Sequence, residues 1–206
     1  MFGPKAVIHL DNLVHNYNLI KKHVGGKRLM TVVKANAYGH GTVPVAKALK
    51  QAGSDYFAVY TVSEAIELRE AGISDDIMIF SRTDIDEIAV AAEHNLTLII
   101  SWKDDLDWFV EYYRKTGKCP KLHLKIDTGM TRLGVPWEAV PELLEKIQQT
   151  PGIELEGIYS HFATADEGDP SYARFQLENF NRCVAAAEEI GMPIKYVHFS
   201  NSGAVL

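Results

Sequence analysis

Short runs of β-branched and aliphatic residues alternate with segments of helical periodicity along almost the whole chain, and this alternation limits the fold more than any other feature. Seven runs predict strands, at residues 29–33, 56–60, 76–80, 96–100, 121–126, 153–160 and 196–200. The segments between them predict helices, at residues 42–52, 62–71, 84–94, 102–116, 137–149 and 170–190. Because each helix returns the chain to the same edge of the sheet, the strands are predicted to be parallel and the fold class is α/β.

An α/β chain of this kind forms either an open doubly wound sheet or a β/α barrel. The open sheet usually carries a glycine-rich phosphate-binding motif after its first strand, and neither GxGxxG nor GxxxxGK[ST] occurs in the sequence. A TIM-type (β/α)8 barrel needs eight strand–helix units, of which about seven are present. An extended segment at 6–10 precedes a helix-like segment at 11–23 but does not by itself supply the eighth unit. We therefore predict an incomplete TIM-type barrel, with residues 1–206 as the amino-terminal portion of the barrel domain.

Two helix starts carry recognisable capping patterns. The sequence "TVSE" at Thr61–Glu64 has the Ser/Thr-x-x-Glu pattern of a capping box, and "SWKD" at Ser101–Asp104 is similar to it. We expect the first residue of each pattern to cap the helix that follows.

Charge and composition exclude several classes of function. The 21 basic and 27 acidic residues give a net charge of −6, and no Lys/Arg block could follow a phosphate backbone, so nucleic acid is not an expected partner. No apolar segment approaches the roughly 20 residues that cross a bilayer, so we expect no membrane partner and a cytoplasmic location. Cys119 and Cys183 lie far apart without metal-ligand spacing, which predicts neither a disulfide nor a metal site.

Unusual polar residues follow the predicted strands at their carboxyl ends. They are Lys34, Arg82, Asp127, Arg132, His161, Asn201 and Ser202. In a barrel these ends converge on one mouth, which is where the active sites of such folds lie. Lys34 could form a Schiff base with a carbonyl if burial makes its neutral amine available, although a single lysine at a strand end more commonly extends to solvent.

Four segments together resemble the bacterial alanine racemases, which depend on pyridoxal 5'-phosphate. They are "VVKANAYGHG" at 32–41, "LKIDTGMTRLG" at 124–134, "HFATADE" at 161–167 and "NSGAVL" at 201–206. The resemblance covers essentially the whole chain. Thr131 departs from it, because many members have glycine there, and we expect little consequence from this change.

The resemblance implies a role for each candidate residue. Lys34 would carry pyridoxal phosphate as an aldimine and act as one of two catalytic bases. Tyr38 would donate a hydrogen bond to the cofactor phosphate, Arg132 would bind the phenolic oxygen of the cofactor, and His161 would pack beside its ring. Asn201 and Ser202 would bind the phosphate end of the cofactor. Lys125 would carry a carbamate whose negative charge holds Arg132 in place.

The resemblance also implies what the chain does and what lies outside it. The reaction would be the conversion of L-alanine to D-alanine by a homodimer whose second base is a tyrosine from the carboxy-terminal β domain of the other subunit. No residue here matches that tyrosine, so we expect a fragment that lacks the β domain, binds cofactor weakly and does not racemise alanine at a useful rate. The alternatives are a single-domain pyridoxal phosphate-binding homeostasis protein and a serine or broad-specificity amino acid racemase.

Overall fold

The computed structural model describes residue 3 and residues 5–206, and it divides the chain into two compact units. Unit 1 is Met1–Phe80 and unit 2 is Ser81–Leu206. Strands and helices alternate in both units, as the sequence pattern predicts. Among the described residues no helix is both long enough and apolar enough to cross a membrane.

The described residues of unit 1 form three parallel strands. Its elements are α1 (Leu10–His23), β1 (Thr31–Val32), the helical turn α2 (Lys34–Tyr38), α3 (Thr42–Gln51), β2 (Tyr56–Val59), α4 (Val62–Glu70) and β3 (Asp76–Ile79). The central strand β2 is buried along its whole length, so both of its faces are packed, as is usual in parallel sheets. In its registers, Phe57 is the Cα partner of Thr31 on one side and of Ile77 on the other.

Unit 2 contains the remaining strands and the longer helices. Its elements are α5 (Ile85–Glu93), β4 (Thr97–Ile100), α6 (Asp105–Thr116), β5 (Lys121–Asp127), β6 (Val135–Pro136), a 3-10 turn (Trp137–Ala139), α7 (Val140–Gln148), β7 (Leu155–Tyr159), α8 (Ser171–Glu189), β8 (Tyr196–His198) and α9 (Ser202–Val205). Strand β5 pairs with β4 on one side and β7 on the other, and β7 pairs with β8, all in parallel. The carboxyl ends of these strands therefore lie on one edge.

Several predicted details differ from the structure. The extended segment predicted at 6–10 ends at His9, because α1 begins at Leu10. The two-residue strand β6 was not predicted, and it pairs with Ile126–Asp127 rather than supplying another strand–helix unit. The capping box at Thr61–Glu64 is confirmed, with both of its hydrogen bonds present.

The cap predicted at Ser101 is wrong. The Asp105 carboxylate accepts hydrogen bonds from the backbone N–H groups of Ser101 (2.8 Å) and Trp102 (2.9 Å), so these donors are satisfied from inside the helix. The Ser101 hydroxyl also donates to this carboxylate, at 3.0 Å. A buried carboxylate accepts such bonds more strongly than a hydroxyl does, which explains why it replaces the serine cap.

Candidate active site

The segment that follows β1 is a left-handed helical turn, which we call the lysine turn (Lys34–Tyr38). Its last four residues have positive φ values of 51° at Ala35, 55° at Asn36, 49° at Ala37 and 54° at Tyr38. None of them is glycine, and the left-handed conformation costs about 1–2 kcal/mol for each such residue. Surrounding contacts must therefore hold this backbone in place.

The Glu64 carboxylate holds the start of the lysine turn. Its Oε1 accepts a hydrogen bond from the Ala35 N–H at 2.7 Å, and its Oε2 accepts from the Tyr60 N–H at 2.6 Å and the Thr61 N–H at 3.2 Å. The middle of the turn is held by Asn36, whose Oδ1 accepts from the Thr42 N–H at 3.1 Å. One carboxylate and one amide thus connect the turn to α4 and α3.

The two candidate side chains of unit 1 lie at opposite ends of the lysine turn. Lys34 is half-buried, and its Nζ lies 5.9 Å from the centre of the Tyr60 ring. Tyr38 is 61% exposed, and its hydroxyl makes no hydrogen bond to any described residue. Both groups are therefore accessible from outside the protein.

In unit 2, Lys125 on β5 is almost completely buried. Its Nζ donates a hydrogen bond to the Ile126 carbonyl at 3.1 Å and lies 5.1 Å from the centre of the Tyr159 ring. The pKa of Lys125 is lowered to about 8, chiefly by burial, while the charge of Asp127 opposes this shift and the charge of Arg132 adds to it. A fraction of this lysine is therefore neutral near neutral pH.

Arg132 lies in the segment after β5, which we call the arginine loop (residues 128–134). Asp127 shapes this loop, because its Oδ1 accepts from the N–H groups of Gly129 and Thr131, both at 3.0 Å. Gly134 closes it at φ +127°, where a Cβ atom would lie 2.7 Å from the Asp127 nitrogen. The Arg132 guanidinium is exposed and has no hydrogen-bond partner among the described residues.

Thr131 has a φ of 55°, which is the left-handed region that glycine favours. From the sequence, threonine at this position is expected to have little consequence. For a β-branched residue, this conformation is a strained one. The hydrogen bond from Thr131 N–H to Asp127 is therefore needed to hold the strained residue in place.

His161 follows β7, and a buried glutamine on α8 fixes its backbone. The Nε2 of Gln176 donates to the His161 carbonyl at 3.2 Å and to Thr128 Oγ1 at 3.3 Å, while its Oε1 accepts from the Ala163 N–H at 2.9 Å. Thr128 Oγ1 in turn lies 2.9 Å from Ser160 Oγ. One side chain therefore joins the loop after β7 to the start of the arginine loop.

Asn201 and Ser202 lie where α9 begins. The Asn201 Oδ1 accepts from the Ala204 N–H at 3.0 Å, so this side chain caps the short helix. The Ser202 side chain is exposed and its hydroxyl has no described partner. Arg82, by contrast, is engaged by the protein, because its Nε lies 2.6 Å from Asp105 Oδ1 and its guanidinium lies over the Trp108 ring.

A histidine pair in unit 2, formed by the buried His123 and the partly buried His198, was missed by the sequence analysis. His123 Nδ1 lies 3.0 Å from His198 Nε2, and the His198 ring stacks on Tyr159 at 4.7 Å between ring centroids. Burial lowers the pKa of His198 to about 3, with smaller contributions from His123 and Lys125, so the ring is neutral at neutral pH. Each of the two histidines stands alone on its strand, so the sequence gives no signal that they pair.

The candidate residues fall into two groups. Unit 1 carries Lys34 and Tyr38 at the two ends of the lysine turn, and unit 2 carries Lys125, Arg132, His161, Asn201 and Ser202 at or beyond the carboxyl ends of its strands. In unit 1, the accessible amine could bind an aldehyde and the tyrosine hydroxyl a phosphate; in unit 2, the guanidinium could bind a phenolic oxygen and the serine hydroxyl a phosphate. Among the described residues, no three His, Cys, Asp or Glu side chains group so as to hold a metal ion.

Comparison with known proteins gives a consistent result. A family model described as "Alanine racemase, N-terminal domain" matches residues 8–206. The chain is 44% identical over 203 residues to alanine racemase 2 of Caldanaerobacter subterraneus subsp. tengcongensis, covering 98% of this chain and 52% of that protein. It is 39% identical over 210 residues to the alanine racemase of Synechocystis sp., covering 100% of this chain and 56% of that protein. The chain thus spans about half the length of the curated relatives it matches.

Solved structures agree with these matches. The alanine racemase of Clostridium difficile 630 in complex with cycloserine superposes with a TM-score of 0.90 at 35% identity, covering 95% of this chain and 54% of that one. A histidine racemase from Leuconostoc mesenteroides subsp. sake superposes with a TM-score of 0.85 at 30% identity, covering 95% of this chain and 52% of that one. The predicted fold class, an α/β barrel of the TIM type, is confirmed.

Proposed function

The chain belongs to the alanine racemase family, and from this premise we propose that it binds pyridoxal phosphate through Lys34 and takes part in the racemisation of alanine. The observation that carries the proposal is the family match over residues 8–206, which includes every candidate site residue. The relatives named above are all racemases, which favours an isomerase over a homeostasis protein that only binds the cofactor.

The candidate site residues would hold the cofactor. Lys34 would attach it covalently, and the Tyr38 and Ser202 hydroxyls would donate hydrogen bonds to its phosphate. Arg132 would donate to its phenolic oxygen, and His161 would pack against its ring. When bound, pyridoxal phosphate supplies an electron sink that stabilises the negative charge left at Cα after proton removal. Lys34 would accept or return the Cα proton on one face of the substrate.

Lys125 would position Arg132 after reaction with carbon dioxide. The neutral amine, which the pKa of about 8 makes available, attacks the carbon of carbon dioxide and releases one proton to water. The product is a carbamate anion in place of an ammonium cation. The interaction between Lys125 and Arg132 then changes from repulsion to attraction, which would hold the otherwise exposed guanidinium in place.

The wider biological setting is part of the same proposal. A homodimeric, cytoplasmic parent protein that makes D-alanine for the peptidoglycan precursor pool fits the family.

The identity of the amino acid substrate is the least constrained part of the proposal. A histidine racemase shares the fold at 30% identity, so racemisation of a different amino acid, serine included, is the second candidate.

Cofactor attachment is tested by spectroscopy and mass mapping. The purified chain is mixed with pyridoxal phosphate, its absorbance is recorded near ~420 nm, and borohydride reduction is followed by peptide mass mapping. We expect the adduct on Lys34 in the wild type and in Lys47→Ala, an exposed lysine on α3, and no adduct in Lys34→Ala. Label spread over surface lysines would contradict the proposal. Chiral separation of the products that the full-length parent protein forms from L-alanine, L-serine and L-histidine then distinguishes the two candidate functions.

A further inference from the structure

The carboxylate of Glu64 makes more hydrogen bonds than its place in a helix cap requires. In the capping box, Glu64 needs to accept only from the backbone of Thr61, which lies 3.2 Å away. It also accepts from Tyr60 N–H at 2.6 Å and from Ala35 N–H at 2.7 Å. Both additional bonds are shorter than the capping bond.

Helix α5 offers a direct comparison within the same chain. Asp84 and Glu87 form the same kind of capping box, and Glu87 Oε2 accepts from the Asp84 N–H at the same distance, 3.2 Å. In the described part of the chain, Glu87 has no further backbone donor. The two extra bonds of Glu64 are therefore separate from helix capping.

The extra bonds meet the chain at the residue where strain begins. Ala35 is the first of the four left-handed residues, and its N–H directly follows Lys34. Strained backbone of this kind persists only where neighbouring groups over-determine it. Hydrogen bonds to a carboxylate are roughly twice as strong as bonds between neutral groups, so they can offset part of the conformational cost.

The same carboxylate also fixes the surroundings of the lysine amine. Tyr60 N–H donates to Glu64, and the Tyr60 ring lies 5.9 Å from Lys34 Nζ. Glu64 thus holds the backbone after Lys34 and the backbone of the aromatic residue beside the amine. Loss of the carboxylate would release both.

We propose that Glu64 is a positioning residue for Lys34. Glu64 acts by holding the lysine turn in its left-handed conformation. The inference deepens the proposed function, since the chemical use of Lys34 rests on it. The hold on the turn is a property of the chain itself.

Amide hydrogen exchange tests the hold on the turn without any cofactor. The 206-residue chain is compared with Glu64→Ala, Glu64→Gln and Glu87→Ala, and exchange is followed in peptides that cover residues 34–38. We expect exchange there to be about 10-fold faster or more in Glu64→Ala, as expected for the loss of bonds to a charged acceptor. Glu64→Gln should lie between Glu64→Ala and the wild type, because one acceptor oxygen remains. Glu87→Ala should match the wild type, and equal acceleration in both alanine variants would overturn the proposal.

Trapping of pyridoxal phosphate by borohydride separates this proposal from the proposed function. We expect adduct formation on Lys34 to be at least about 10-fold slower in Glu64→Ala than in Glu87→Ala. If Lys34 forms no adduct even in the wild type while exchange behaves as expected, the proposed function fails and the positioning role stands. If the adduct forms at equal rates in all variants, the positioning role is overturned and the proposed function stands.

Discussion

The lysine turn and the arginine loop both follow strands and are both held by a carboxylate, yet the two carboxylates lie at very different distances along the chain. The lysine turn is five residues long and strained, and the half-buried Glu64, 29 residues away, accepts the Ala35 N–H. The arginine loop is held at its start by the adjacent Asp127, which accepts from Gly129 and Thr131, and Thr128 also connects it to the buried amide of Gln176. The lysine turn therefore depends on one contact that is distant in sequence, whereas the arginine loop combines a local acceptor with a buried network.

The largest effect is expected where the arginine loop depends on one buried amide. Gln176→Leu removes the polar groups of a fully buried side chain, and with them its three hydrogen bonds to Thr128, His161 and Ala163. Each hydrogen bond contributes about 0.5–1.5 kcal/mol net, so the free energy of unfolding should fall by about 1.5–4.5 kcal/mol. Urea unfolding measures the change.

The control for this prediction is a glutamine that makes one bond at the surface. Gln148 donates to the Ile190 carbonyl at 2.6 Å from an exposed position, so Gln148→Leu should cost about 1 kcal/mol or less. Equal losses in the two variants would show that Gln176 does not anchor the loop as the contrast requires.

The next largest effect should be a dependence of stability on pH. It involves Lys125, which lies on β5 just before the arginine loop. The pKa of Lys125 is about 8 in the folded chain, and the ordinary value of 10.5 applies in the unfolded chain. Between pH 8 and pH 10.5, the unfolded chain therefore binds a proton that the folded chain does not. Stability contributed by this group therefore rises with pH from about 8 to 10.5, by about 3 kcal/mol.

Urea unfolding of the wild type and of Lys125→Met measures this pH effect. The buffer contains no bicarbonate, so that no carbamate forms. The variant lacks the titrating amine, so its stability should not show the added rise. Parallel pH curves for the two proteins would mean that Lys125 is not desolvated in the way its burial implies.

The smallest effect is expected from alanine-to-glycine substitutions at two positions. They should change the free energy of unfolding in opposite directions. In the lysine turn, Ala35→Gly removes a left-handed penalty of about 1–2 kcal/mol and adds about 0.5–1 kcal/mol of unfolded-state entropy, for a net gain of about 0.5 kcal/mol. In the right-handed helix α8, the exposed Ala185→Gly should lose about 1 kcal/mol. Thermal and urea unfolding of the pair provide the measurement, and a loss of stability in both would argue against strain at Ala35.

The sequence predicts those parts of the fold that local patterns control. Hydrophobic periodicity places the seven main strands and six helices close to their observed bounds, and the capping box at Thr61 is a local signal that the structure confirms. The cap at Ser101 failed because the acceptor is one residue beyond the pattern, at Asp105. Local reasoning could identify the type of element but could not choose between neighbouring polar side chains.

The parts that escaped prediction depend on partners distant in sequence. No propensity favours four consecutive left-handed residues, and the acceptor for Ala35 lies 29 residues away. Gln176 looks like an ordinary polar residue of a helix until its burial is known. The resemblance provided roles for Lys34 and Arg132, but it did not identify the side chains that shape their loops.

The dependence of the lysine turn on Glu64 has a consequence for the order in which the chain acquires structure. A turn without local propensity cannot nucleate by itself, and closing the contact requires β2 and the start of α4 to be present. At a synthesis rate of roughly 5–20 residues per second, Lys34 leaves the ribosome about 2–6 seconds before Glu64 does. During that interval Lys34 is an ordinary flexible lysine, and its backbone acquires a fixed geometry only when α4 folds.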